Sequence, residues 1–315
     1  MQARSGIGVV VNPYARRHRG DPAVARRLAQ IAGPDAVVVE PRGRDRLLRV
    51  AEDFHRQRID VLAIGGGDGS TACTLTAFHA VYGDEPLPRV ALLRGGTMNT
   101  IANATGVPRV DPPRLLERLV ACHRSGTPLE GSNRVAMRAG EQLGFLFGTG
   151  ISHGFLEEYY SRGNPPTPLT AAETLASIAG SILVRGEVAH RVTAPIETVL
   201  TVDGERWPLA PYLGVMIGTV PEVGLGFRAF FRTTEETEAL HLVAIHAGPT
   251  AVLARLWRVR LGRPLGERAA RERLATRVEL ACPVGRVRHF LDGDLHEAPS
   301  PLVVTVGPRV RFVWG

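Results

Sequence analysis

From Gly6 to about Ser125, short apolar runs alternate with amphipathic helical patterns. IGVVV (7–11), AVVV (36–39), VLAI (61–64) and VALL (90–93) are aliphatic, largely β-branched runs of the length expected for buried parallel strands. Between them, Val24, Leu28 and Ile31 fall at i, i+4, i+7. Leu47, Val50, Ala51 and Phe54 fall at i, i+3, i+4, i+7, the stripe of a helix that lays one face on a sheet. This alternation predicts βαβ units with helices on both faces of a parallel sheet. After about Gly126 the pattern changes to strands joined by turns: NRVAMRA, GFLFG, ETVLTVDGERW, YLGVMIG, ALHLVAI, RVELA, VRHFLDG, LVVTV and VRFVW. A mainly antiparallel β domain is expected there, with Asp203-Gly204 as a hairpin turn. Helical insertions are expected near 171–183 and 250–261, and a loop over 164–168. The predicted division is therefore 1–126 and 127–315. At about 150 residues per domain, 315 residues accommodate two cores.

Composition narrows the chemistry. An apolar fraction of 44% with 22% charged residues is that of an ordinary soluble globular protein. All 38 basic residues are Arg, and the chain has no Lys. That excludes a Walker A lysine, a protein-kinase strand lysine and any lysine Schiff base. Phosphate would have to be held by backbone N–H groups, hydroxyls, Arg or a metal. The net charge of +7 favours acidic partners, phosphates or an anionic membrane among them. Aromatics at 6% are too few for base-stacking platforms, so no nucleic-acid partner is expected. Three separated cysteines, Cys73, Cys122 and Cys282, point to a reduced, cytoplasmic protein without a zinc knuckle. IGVVV is too short for a signal-peptide core, and no run approaches the ~20 apolar residues of a membrane span. Arg255, Arg258, Arg260 and Arg263 flank Trp257 in a basic amphipathic stretch. It would suit peripheral contact with an anionic membrane at the inner face. The reading preferred from sequence alone is a solvated helix face with Trp257 in the core. The oligomeric state stays open, a homodimer included.

Three segments carry candidate chemistry. In VLAIGGGDGSTACTLTAF (61–78) a strand runs through Gly65-Gly66-Gly67-Asp68-Gly69-Ser70 into a helix. Glycines let backbone N–H groups approach a phosphate, the helix adds its N-terminal partial charge, and Ser70 is placed to cap it. A plain glycine turn, or a loose dinucleotide fingerprint (Gly67-x-Gly69-x-x-Ala72), competes with this reading. Against the fingerprint, the next strand ends in Arg94 rather than an acid. RVALLRGGTMNTIANATG (89–106) repeats the pattern with Gly95-Gly96, Thr97 and Asn99 before a second helix. Two such loops at the carboxyl ends of successive parallel strands would converge on one crevice. In HFLDGDLHEAP (289–299), Asp292-Gly293-Asp294 reads as a hairpin turn, or, with His289, His296 and Glu297, as a metal cluster.

Together these segments resemble the diacylglycerol kinase catalytic-domain family, lipid kinases that include sphingosine kinases and are more distantly related to NAD kinases. The resemblance rests on Asn12-Pro13 after the first strand, on Gly66-Gly67-Asp68-Gly69-Ser70, on Gly96-Thr97-Met98-Asn99 and on the late Asp292-Gly293-Asp294. It implies an α/β nucleotide-binding domain, a β-sandwich domain, and a final strand that returns to the first domain. The implied activity is ATP- and Mg²⁺-dependent phosphorylation of a lipid alcohol such as diacylglycerol or a sphingoid base. Asn12, Gly66, Gly67, Asp68, Gly69, Ser70, Gly96, Thr97 and Asn99 would then bind nucleotide. Asp68 and Asp292 would serve magnesium, and Asp68 would also orient the transferring group. Asp294 would be the base that takes the hydroxyl proton. Several positions depart from the family. Ala72 and Cys73 stand where members carry Asn-Glu, Thr100 replaces an Asp, Glu40 a Thr, and Thr237-Glu238 an accessory-metal Asp-Gly. Asp294 shortens the family's Glu. The alternative is a homologue that binds nucleotide or lipid with weak or no turnover.

Overall fold

The computed structural model describes residues 6–18, 23–163, 167–236 and 238–315. The chain divides into two units, Met1–Arg134 with Arg309–Gly315, and Val135–Pro308.

The first unit alternates strand and helix as its periodicity demands: β1 (Ile7–Val11), α1 (Val24–Ala32), β2 (Ala36–Val39), α2 (Arg44–Arg56), β3 (Val61–Gly65), α3 (Asp68–Tyr82), β4 (Arg89–Leu92), α4 (Thr100–Ala104) and α5 (Pro112–Ser125). β1 pairs in parallel with β2 and β3, and β3 with β4. Phe312, in the last strand of the chain, pairs in parallel with Val90 of β4. β1 and β3 lie inside the sheet, and every residue of both is buried. β2 lies at its edge and leaves Val37 42% exposed. The apolar run AVVV is therefore a half-covered edge strand, not a buried one. α2 buries Val50, Ala51 and Phe54, whose ring meets that of Phe78 on α3 edge-on at 6.1 Å.

β5 (Glu130–Ala139) leads into the second unit. There follow β6 (Gln142–Gly144), β7 (Leu146–Gly148), α6 (Ile151–Ser161), α7 (Pro168–Val184), α8 (Glu187–Val192), β8 (Ile196–Val202), β9 (Glu205–Arg206), β10 (Ala210–Tyr212), β11 (Gly214–Gly218), β12 (Leu240–Ile245), α9 (Pro249–Leu253), α10 (Leu256–Arg260), β13 (Ala270–Ala275), β14 (Arg277–Ala281), β15 (Arg286–Leu291), β16 (Asp294–Pro299) and β17 (Leu302–Trp314). One antiparallel sheet runs β13-β12-β11-β7-β15-β16; the other joins β10, β8, β14 and the first half of β17. Phe147, Val215, Ile217 and Leu242 from the first meet Leu200, Val202, Val278 and Val304 from the second in one core. The architecture is the expected parallel α/β domain followed by an antiparallel β-sandwich.

Of the predicted 164–168 loop, 164–166 lie outside the described residues, as does Thr237, and Pro168 already opens α7. The helix expected over 250–261 is two five-residue helices, α9 and α10. Trp257 is 55% exposed, with the Arg258 guanidinium 5.6 Å from its ring centroid, which corrects its placement in the core. Asp203 and Gly204 form the predicted two-residue hairpin turn, with φ +48° and +85°. The Asp203 carboxylate also accepts from the N–H groups of Thr276 and Arg277, both at 2.9 Å, so this turn ties β8 to β14. Among the described residues no helix is long and apolar enough to cross a membrane.

Candidate active site

Within the first unit the loops after β1, β3 and β4 are joined by backbone contacts. Gly95 N–H donates to the Gly66 carbonyl at 2.8 Å, Arg17 N–H to Gly95 at 3.1 Å, and Asn12 N–H to Gly65 at 2.8 Å. The Asn12 side-chain amide donates to the Ser70 hydroxyl at 2.8 Å, and the Asn12 main-chain carbonyl accepts from His18 Nδ1 at 2.8 Å. Gly67 and Gly96 touch. A Cβ on Gly67 would lie 2.8 Å from the Gly96 Cα, and a Cβ on Gly96 would collide with the Gly67 Cα. Neither glycine has positive φ, so close approach of one loop to the other, rather than backbone freedom, requires them. The left-handed positions are Arg94 (φ +49°) and Asn99 (φ +50°). Asn tolerates that conformation well, and its side chain spans its own turn, accepting from Gly96 N–H and donating to the Gly96 carbonyl at 3.0 Å each.

Asp68 fastens the two loops together. One carboxylate oxygen accepts from Thr100 N–H and the other from Ile101 N–H, each at 2.9 Å. Burial raises its pKa above the ordinary value, against the opposing pull of those two donors and of Arg94. Ser70 does not cap α3 as expected, because it lies inside the helix; Gly67 is the N-cap and supplies no side chain. The N–H groups of Asp68, Gly69 and Ser70 open α3, where no earlier helical carbonyl can accept them. They are the donors available to an anion, since Gly95 and Gly96 spend theirs inside the protein.

Replacing Asp68 by Asn is expected to open the start of α4 locally. The amide retains one acceptor and turns an NH₂ toward the second backbone donor. Losing a charge-assisted bond is worth about 1.5–3 kcal/mol, roughly 10- to 100-fold in a local opening equilibrium. Hydrogen exchange at Thr100 and Ile101 should quicken by about that factor. Unchanged exchange there would remove the clasp.

Sequence spacing does not reveal the positive field around the loops. Arg94 is buried and donates to the Val107 carbonyl (3.1 Å) and the Asn103 side chain (2.6 Å). Burial, then Arg109 and Arg17, hold its pKa below the usual guanidinium value. Three arginines distant in sequence thus share one region, Arg17 also pairing with Asp111 at 3.1 Å. His18, which the motifs do not single out, is 2% exposed, and its Nε2 has no hydrogen-bond partner.

Asp292 and Asp294 lie in the second unit, on the turn between β15 and β16. Asp292 (φ +48°) and Gly293 (φ +95°) are the two loop residues, and Asp294 pairs with Leu291. Asp292 is 5% exposed, and its carboxylate accepts from Phe145 N–H at 3.0 Å and Leu146 N–H at 2.8 Å. A buried carboxylate that accepts from two backbone donors anchors the turn to the start of β7. Asp294 points out to solvent, yet surrounding protein raises its pKa above the ordinary value, with His296 pulling it back. His289 is buried and stacks between Phe147 (5.1 Å) and His296 (5.6 Å). Among the described residues no three His, Cys, Asp or Glu are grouped to hold a metal, so the cluster suggested for 289–297 does not form. Among the described residues no three-ligand group would hold a magnesium ion by itself; such an ion would be held by one or two carboxylates together with nucleotide phosphates and water.

Residues 6–128 match the family model of the diacylglycerol kinase catalytic domain. No curated protein sequence matches the chain. Among solved structures, a candidate diacylglycerol kinase from Bacillus anthracis str. Sterne is similar with a TM-score of 0.69 at 13% identity, covering 99% of this chain and 97% of that one. A diacylglycerol kinase from the same strain gives 0.63 at 15% identity, with the same coverages. Yeast NADH kinase, complexed with NADH, gives 0.51 at 13% identity over 99% of this chain and 84% of its own. At these identities the likeness is one of fold.

Proposed function

We propose, from the match of residues 6–128 to the diacylglycerol kinase catalytic-domain model, that the protein transfers the γ-phosphoryl group of ATP to the hydroxyl of a lipid alcohol. The observation that carries this reading is the Asp68 clasp, which holds two glycine loops at the carboxyl ends of β3 and β4 and leaves the opening N–H groups of α3 for a phosphate. Phosphoryl transfer asks mainly for positioning and charge stabilisation. Donors at the start of α3 and the field of Arg17, Arg94 and Arg109 supply both without lysine. Asp294 would take the proton of the acceptor hydroxyl. Its solvent-facing position and raised pKa suit a general base better than the sealed Asp292. The exposed Trp257 and the arginines of α10 would lie against an anionic lipid surface.

A second reading, nucleotide or lipid binding without turnover, draws support from Ala72 and Cys73, which stand where the family that the sequence resembles carries Asn-Glu. The deciding experiment is ATP turnover by purified protein over a panel of lipid alcohols in mixed micelles, with diacylglycerol and sphingoid bases included. Phosphorylation of at least one acceptor is the expected result. ATP binding without turnover on any acceptor would select the second reading.

A further inference from the structure

Helix α6 carries a polar stripe that runs along the β15–β16 hairpin. His153, Glu157 and Tyr160 fall at i, i+4 and i+7 and share one face. His153 Nδ1 lies 3.4 Å from Glu157, and Glu157 lies 3.9 Å from Arg288 of β15. The stripe ends where the Tyr160 hydroxyl donates to the Gly293 carbonyl at 2.7 Å. That carbonyl belongs to the peptide leading directly into Asp294. From the other side the same turn is tied through Asp292, by its carboxylate bonds to Phe145 and Leu146 and by its N–H to the Leu146 carbonyl at 2.9 Å.

We infer that Tyr160 is a positioning residue: its hydroxyl fixes the plane of the Gly293–Asp294 peptide and so the direction in which the Asp294 carboxylate is presented. The inference rests on the reading of Asp294 as the general base. In a two-residue hairpin loop the strand ladder makes no use of the second loop residue's carbonyl. Gly293 has φ +95° and no side chain, so its peptide plane would otherwise swing cheaply. The Asp292 anchors stop one residue short of that peptide. A fold that needed only to hold the hairpin already has them; the Tyr160 bond adds control at the single peptide that aims Asp294. Burial, with Asp294 and Tyr159 adding, pushes the Tyr160 hydroxyl up to about 12, so it stays a donor throughout the neutral range.

The test is Tyr160→Phe, which keeps the ring and removes the donor. Two quantities are read: amide exchange at 293–295, and kcat and KM for ATP with 1,2-dioleoylglycerol in mixed detergent micelles. The expected result is faster exchange at the turn and a kcat about 10- to 100-fold lower, with KM for ATP unchanged. Unchanged exchange overturns the inference. So does faster exchange with wild-type kcat, because the bond would then be only a structural tie. Asp294→Asn, measured alongside, separates the two readings. If it is inactive while Tyr160→Phe behaves as wild type, positioning alone fails. If it retains wild-type turnover, or if no acceptor is phosphorylated by the wild type, the base reading fails and this inference with it.

Discussion

Replacing Asp294 by Asn is expected to lower turnover by about 10²- to 10⁴-fold, the range that general-base help supplies, with ATP affinity nearly unchanged. The amide keeps the size and the polar surface of the side chain but accepts no proton. The turn itself should survive, because Asp292 rather than Asp294 holds it to Phe145 and Leu146. The pH dependence follows from the sign of the shift. Desolvation by the surrounding protein raises the pKa of Asp294, so the ionised base is lost at a higher pH than for an ordinary Asp. Wild-type turnover should fall as pH drops through that raised value, and Asp294→Asn should lose that limb altogether. Asp294→Glu should be tolerated or activating, since it restores the residue carried by the family that the sequence resembles. Glu205→Gln is the control: Glu205 begins β9 in another hairpin, pairs with Arg271 and Arg273 of β13, and its replacement should leave kcat alone. Steady-state kinetics on the best acceptor of the panel decides the matter, and wild-type turnover by Asp294→Asn would falsify the base assignment.

Gly67→Val is expected to weaken ATP binding by up to about 100-fold. Overpacking a close contact costs about 1–3 kcal/mol, and here the strain falls on the two turns that frame the start of α3. The valine Cβ would sit 2.8 Å from the Gly96 Cα, so the loops must part. Once they part, the Asp68 bonds to Thr100 and Ile101 lengthen, and the helix opening loses its shape. Arg94→Gln should weaken binding less, because Arg94 bonds to Asn103 and Val107 and reaches a phosphate only through its field. Calorimetric titration with ATP, without lipid, reads both variants independently of the acceptor. Equal affinity in wild type and Gly67→Val would place the nucleotide away from these loops.

Much of the fold was legible because its signals are local. The period of apolar positions separates the α/β half from the β half, and glycine pairs after β3 and β4 mark where strand gives way to helix. Asp-Gly marked both hairpin turns, at Asp203 and at Asp292. The roles of side chains within those signals were not legible. Asp68 reads as a metal-directed acid, but its carboxylate is claimed by two N–H groups more than thirty residues away. Gly67 reads as room for a phosphate, while its neighbour is Gly96.

Trp257 in sequence reads as core, yet its short helix leaves it in solvent. Asp292 and Asp294 show the limit most plainly. They flank one glycine with the same chemistry, and local pattern treats them alike. The packing of β6 and β7 against the turn draws Asp292 inward onto two backbone donors and leaves Asp294 facing out. Chain periodicity determined which elements form and where their loops lie, because hydrophobic burial and backbone geometry act over a few residues. Only the tertiary structure decided what each polar side chain does. A carboxylate serves the donors that distant segments bring to it, and those segments meet only when the sheets close.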